Sequence, residues 1–411
     1  MPFRDKLYIA SVIVVFACVC GYLGFSIAKE FGVMQATDKD SYSQLEGREY
    51  ARITEFDWAS FPAGGLQTDV ECWISDHFPG RDRTLLLNAS MQRATISVAA
   101  KVLGYEVYPT FYGSEVAVSE PDSSLFAIPG SRTQADELAN ASRAQALSSL
   151  ARRFGSKRFL AYVPVHSGSL DDSPVARLMD SPQTNRWFRE SLLDKTTGIM
   201  VLNSGVGVDE FAQSRFRTDH HWNIDGAYDA YLEIARALGF SSFVAKQERI
   251  EFEEPSFYGF NARSGRCLSF SDRIFDYRFD IPEFTVLVDG TMKNNEDLTH
   301  MRMYGRGEWN PGILSNRYGE FYHSNFAELT LISSSPETDR TLLLVADSFS
   351  NCMERLFTKH YAKVIAYDMR SNALTLEEYL DSHPEVDDVV YLMWDHDFMS
   401  GVFDEKIGAK L

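Results

Sequence analysis

The chain has 411 residues, 45% hydrophobic and 24% charged, which suits one large globular domain or two ordinary ones and excludes an intrinsically disordered chain. Its formal net charge of -18 argues against nucleic acid or another polyanion as the main partner. Phosphate binding needs dense Lys and Arg, and no basic run is present.

Residues 7–28 carry no charge and are rich in Ile, Val, Phe and Leu. At about 1.5 Å per residue such a helix crosses a hydrocarbon layer roughly 30 Å thick. Arg4 and Lys6 precede the run, whereas Lys29 is offset by Glu30, so the charge bias puts the N-terminus in the cytoplasm and the bulk of the chain outside. A cleaved signal peptide is the rival, but the run is long for one and no A-x-A site closes it. Residues 1–30 are thus expected to be a cytoplasmic stub and single-pass anchor, residues 31–52 a polar linker, and residues 53–411 an extracytoplasmic α/β domain. Cys72, Cys267 and Cys352 fall in that domain; they allow one disulfide and match no zinc motif.

Residues 69–95 look largely helical, interrupted by Asp76-His77-Phe78-Pro79-Gly80-Arg81-Asp82, where Pro-Gly marks a stop. Short apolar runs at 159–165, 199–203, 342–346, 364–367 and 389–394 read as strands. Between them, 135–154, 225–238, 349–360 and 376–382 have helical spacing. This alternation predicts a parallel sheet flanked by helices. Residues 243–336 break the rhythm with aromatics, Arg, Asp and Gly, and are expected to form an insertion of loops and short strands, of the kind that shapes a substrate side or simply elaborates the fold.

The run Leu342-Leu343-Leu344-Val345-Ala346 ends in Asp347-Ser348 and leads into the expected helix 349–360. That would seat Ser348 at the carboxyl edge of the sheet, with the N–H groups near Phe349 at the positive end of a helix dipole, suited to an oxyanion. Asp347 or Ser348 would equally serve as a simple helix cap. A serine nucleophile needs a base, and the densest polar cluster with a histidine is Thr218-Asp219-His220-His221-Trp222-Asn223, just ahead of a helix. His221, with Asp219 two residues away to hold its tautomer, is the candidate base. A metal pair and a chemically silent cap-and-turn segment compete; adjacent histidines converge poorly on one ion, so no metal and no cofactor is expected. His396 in Asp395-His396-Asp397 and His77 are outside candidates for the base.

Asp219-His220-His221-Trp222 resembles the signature of the DHHW family, relatives of the alginate O-acetyltransferase-like proteins in the SGNH (GDSL) hydrolase-like superfamily. The early Asp-His-Phe-Pro-Gly-Arg-Asp segment, Tyr162-Val163-Pro164-Val165 and Ala346-Asp347-Ser348-Phe349 fall in the order of that family, although Ala346 stands where Gly is common. The resemblance implies an SGNH-like fold and a triad of Ser348, His221 and Asp219. It implies transfer of acyl groups, typically acetyl, to extracytoplasmic polysaccharide, often beside a multi-spanning membrane acyltransferase that supplies the donor. An esterase with the same triad and a non-catalytic envelope binding or scaffold protein are the alternatives. Asn325 is the candidate oxyanion asparagine, and His220, Trp222 and Phe349 are supporting or substrate-binding candidates. Trp222 and Trp309 are flat enough to stack on sugar.

Overall fold

The structure is a computed structural model and describes residues 16–17, 20–26, 42–43, 48–52, 65–81, 83–85, 87–88, 90–91, 106–109, 115–119, 124–128, 133–164, 185–202, 213–269, 271–293, 316–323, 325–399, 401 and 403–409. The chain divides into two compact units, residues 1–98 and 99–411. Much of the expected membrane run 7–28 lies outside the described residues, and its described stretches are helical. Among the described residues no helix is long and apolar enough to cross a membrane.

In the first unit, helix α1 (Gly65–Asp76) stops at the Pro-Gly turn, where Gly80 takes a φ of 72°, left-handed geometry that glycine adopts without strain. The outside candidate His77 closes this helix: its Nδ1–H donates to the Trp73 carbonyl over 2.9 Å, and its ring stacks on Trp73.

The second unit opens with an antiparallel meander of β1 (Glu106–Pro109), β2 (Glu115–Ser119) and β3 (Ser124–Ile128). Helix α2 (Gln134–Arg153) starts on a capping box between Thr133 and Asp136 and ends on Arg152 and Arg153, charges that complement its dipole. Then follow β4 (Arg158–Tyr162), α3 (Asn185–Ser191), β5 (Met200–Leu202), α4 (Ile224–Ala237), β6 (Lys246–Phe257), α5 (Phe260–Gly265) and β7 (Asp272–Phe279). The chain continues through β8 (Phe284–Val288), β9 (Thr291–Lys293), α6 (Arg317–Tyr322), β10 (Glu328–Ser333), β11 (Thr338–Ala346) and β12 (Tyr361–Tyr367). It closes with α7 (Leu376–Ser382), β13 (Val386–Leu392), α8 (Asp395–Met399) and α9 (Asp404–Ile407).

The main sheet has eight strands in the order β9-β8-β10-β12-β11-β13-β4-β5. From β12 to β5 all pairs are parallel, and each of these five strands overlaps one of the five apolar runs. Leu342, Leu344 and Ala346 of β11 enter one apolar cluster with Ile224, Ala227 and Tyr231 of α4. Leu343 and Val345 enter the other, with Leu147 of α2, Phe188 of α3 and Tyr379 of α7. A strand covered on both faces must be apolar at every position, which is why these runs do not alternate.

Two expectations need correction. Residues 243–336 are not merely loops and short strands: β8 and β10 extend the main sheet antiparallel to β12, and β6 pairs with β7 in a long hairpin. Nor is 349–360 an α-helix. Turns run from Ser348 to Met353 and a 3-10 helix covers Glu354–Lys359. The Ser350 hydroxyl contacts the Asp347 carbonyl and the Glu354 carboxylate, local bonds that compete with α-helical pairing. Cys20, Cys72, Cys267 and Cys352 are free thiols.

At the amino ends of β11 and β12, buried His360 donates from Nδ1 to Glu337 over 2.8 Å and accepts at Nε2 from the Tyr231 hydroxyl over 2.7 Å. Burial lowers the His360 pKa, against the opposing pull of Glu337. The unfolded chain therefore takes up a proton near pH ~6.5 that the folded chain refuses. This contribution is intact above that pH and is lost as the pH falls below it. Calorimetry is expected to show the melting temperature dropping more steeply between about pH 7 and 5 in the wild type than in His360→Gln.

Candidate active site

Asp347 and Ser348 follow β11 directly, at the carboxyl edge of the sheet. The Asp347 carboxylate accepts from the Phe349 N–H over 2.9 Å and from the Trp394 N–H over 2.7 Å, pinning the turn to the segment after β13. Burial, with nearby Asp397 adding to it, pushes the Asp347 carboxyl up to about 7, while Arg370 and the two N–H bonds pull the other way. Ser348 is half-buried.

The acid and base arrive on the loop before α4. Asn223 caps that helix, its side chain accepting from the Asp225 and Gly226 N–H groups. Upstream, Asp272 at the start of β7 accepts from the Arg217 N–H over 2.9 Å and from the Thr218 N–H over 2.7 Å. The Gly259 N–H donates to the Thr218 hydroxyl over 2.9 Å. A Cβ on Gly259 would lie 2.4 Å from the Asp219 Cβ and 2.5 Å from the Thr218 carbonyl, so only glycine lets the two loops lie together.

The result is a continuous line. His221 Nδ1 lies 2.6 Å from Asp219 Oδ1, and His221 Nε2 lies 2.7 Å from the Ser348 hydroxyl oxygen. Asp219 Oδ2 accepts from the Phe260 N–H over 2.6 Å. An ionised carboxylate only accepts, so Nδ1 carries the hydrogen and Nε2 presents a lone pair to the serine. Burial would raise the Asp219 pKa, but His221, His220 and the hydrogen bonds outweigh it and hold the carboxyl well below its usual range. Potential ligand atoms of Asp219, His220 and His221 lie within 4.8 Å of one another. Both His221 nitrogens are already engaged, so a metal there would have to break the line to carboxylate or serine.

No family model and no curated protein matches the chain. Solved structures do. A DHHW family protein from Eubacterium siraeum matches at a TM-score of 0.53 and 18% identity, over 73% of this chain and 96% of its own. PatB1 of Bacillus cereus with a sulfonyl adduct matches at 0.53 and 16%, over 71% and 98%. Another PatB1 structure matches at 0.50 and 16%, over 70% and 99%. The fold is that of a DHHW family protein.

Within this DHHW-type fold the other expected residues separate. Trp222 is 1% exposed, and its indole N–H donates to the Phe349 carbonyl over 2.9 Å, so it packs in the core and offers no face to a sugar. Phe349, also 1% exposed, packs edge-on against Trp222. Its N–H is taken by Asp347, which corrects the expectation that it holds an oxyanion. His220 is half-buried, its ring 4.0 Å from that of His221 and stacked 4.9 Å from Trp394. Asn325 is exposed and its Oδ1 accepts from Asn351 Nδ2 over 3.0 Å. His396 is exposed on α8 with its ring against Trp394, and it is His221 that faces the serine. Trp309 lies outside the described residues. Gly259, Asp272 and Tyr318 build the site without having been singled out in the sequence, since each works through backbone or ring contacts that no local motif announces.

Proposed function

We propose that the chain transfers an O-acyl group, acetyl being the simplest, to a cell-envelope polysaccharide through an acyl-enzyme on Ser348. The observation that carries this is the 2.7 Å approach of His221 Nε2 to the Ser348 hydroxyl, backed by Asp219 at 2.6 Å. His221 takes the serine proton as the oxygen bonds to the acyl carbon, then returns it to the departing donor group. In the second half an acceptor hydroxyl gives its proton to His221 and attacks the acyl carbon, and the serine oxygen leaves and recovers the proton. Asp219 stays ionised throughout and stabilises the imidazolium. The Ser348 N–H, which donates to no acceptor among the described residues, is the backbone group left for the oxyanion. The uncharged run at 7–28 and its flanking charges support a membrane anchor with the site outside the cytoplasm; the family resemblance adds a multi-spanning membrane protein as the supplier of the acyl donor.

The sulfonyl adduct on PatB1 suggests the probe. Full-length protein treated with phenylmethanesulfonyl fluoride is expected to carry the sulfonyl group on the Ser348 peptide in mass spectra. With 4-nitrophenyl acetate and an oligosaccharide, acetyl is expected on the sugar. Acetyl release indifferent to every acceptor would make the protein an esterase, and neither labelling nor release would leave an envelope binding protein.

A further inference from the structure

We infer that Tyr318 is a positioning residue that fixes the His221 ring and the Ser348 backbone relative to each other; the inference rests on the acyl-transfer role proposed above. Tyr318 lies on α6, whose cap Asn316 accepts from the Gly319 N–H. Its ring stacks on the His221 imidazole with centroids 3.8 Å apart and planes 8° from parallel. Its hydroxyl donates to the Ser348 carbonyl over 2.9 Å. One side chain thus holds both partners of the proton transfer.

The arrangement answers a specific weakness. Asp219 grips the imidazole at Nδ1 alone, and His220 and Phe349 meet the ring at tilts of 35° and 45°, so these contacts leave room for a tilt that would swing Nε2 away from the serine. A flat ring against its face removes that freedom. At the other end, the peptide joining Ser348 to Phe349 is held at both poles, its oxygen by Tyr318 and its N–H by Asp347. Tyr318 cannot drift, because it is 2% exposed and Phe216 and Tyr322 pack against its ring. Burial, with Cys352 nearby, raises the phenol pKa well above its usual value, so the hydroxyl remains a donor at any working pH. A misplacement of about 1 Å at a reacting group costs on the order of a hundredfold in rate.

Tyr318→Phe keeps the stacked ring and loses the tie, whereas Tyr318→Leu loses both. The test measures kcat and KM of the full-length variants on 4-nitrophenyl acetate, per competent site counted by saturating sulfonyl labelling. The expected result is kcat lower by about tenfold in the Phe variant and about a hundredfold in the Leu variant, with KM unchanged, the Phe variant thereby regaining about a factor of ten over Leu. A Leu variant with wild-type kcat per competent site, or a loss wholly explained by fewer competent sites, would overturn the inference. Wild type that neither turns over nor labels would instead defeat the acyl-transfer proposal. The ring-current shift of carbon-labelled His221 then decides on Tyr318 by itself: it should shrink in the Leu variant to what His220 and Phe349 still contribute and stay near wild type in the Phe variant, and an unchanged shift in the Leu variant counts against positioning.

Discussion

Ser348→Ala is expected to reduce ester turnover roughly ten-thousand-fold or more while leaving the melting temperature near that of the wild type. The substitution removes only the oxygen that faces His221 Nε2 at 2.7 Å from a half-buried residue whose bond to the Tyr318 hydroxyl is made by its backbone carbonyl and survives. Asp219→Asn should lose nearly as much, on the order of ten-thousand-fold in kcat, for a different reason. Both Asp219 oxygens accept in the native site, one from His221 and one from the Phe260 N–H. An amide has a single accepting oxygen, so either Phe260 loses its partner or an NH2 group faces Nδ1 and drives the hydrogen to Nε2, where the serine needs a lone pair. Steady-state assays on folded variants check both. Turnover by Asp219→Asn within tenfold of wild type would mean that the tautomer is set elsewhere.

Asp388→Ala should be strongly destabilising away from the chemistry, lowering stability by about 2–3 kcal/mol and the melting temperature by roughly 5–10 °C. Asp388 is 0% exposed near the start of β13. It accepts from Arg158 Nε over 2.7 Å and from the Tyr361 hydroxyl over 2.6 Å, and also pairs with Arg340. Alanine leaves two guanidiniums beside each other with nothing between them. Because Arg158 and Arg340 are 49% and 29% exposed, water takes up part of the deficit, so the cost stays below that of a fully buried broken pair. Calorimetry gives the shift. Ester turnover at a temperature where the variant is folded should be unaffected, since this network stands at the opposite end of the strands from Ser348.

Four of the five parallel strands were legible because they are largely buried on both faces and therefore read as unbroken apolar runs bounded by turn residues; the fifth, β5, is a half-exposed edge strand whose short apolar run still stood out between turns. Asp219 and His221 were legible for a related reason: a carboxylate and an imidazole two apart, just before a helix, form a local unit that needs no distant partner to be recognised. What stayed hidden depends on distant contacts. Phe284–Val288 and Glu328–Ser333 are short and set among charged and aromatic residues, and nothing in them states that they add to the main sheet. Trp222 looked like a sugar platform because an aromatic residue beside a site carries no mark of which way it points. The helical spacing after Ser348 was real, with Phe349, Met353, Leu356 and Phe357 all buried, but turns and a 3-10 segment bury the same residues once the side chains of Ser350 and Glu354 bond locally. Gly259 is a loop glycine like many others until the base loop is seen against it.

The alternation along β11 has a consequence for how the molecule tolerates change. The strand ending at the nucleophile is pressed from opposite sides by two separate apolar clusters, and Ser348 stands where those pressures balance. A void opened at Leu344 and one opened at Leu343 would let the strand relax in opposite directions. Paired truncations on both sides should therefore restore part of the rate that either removes alone, even though each further weakens the fold.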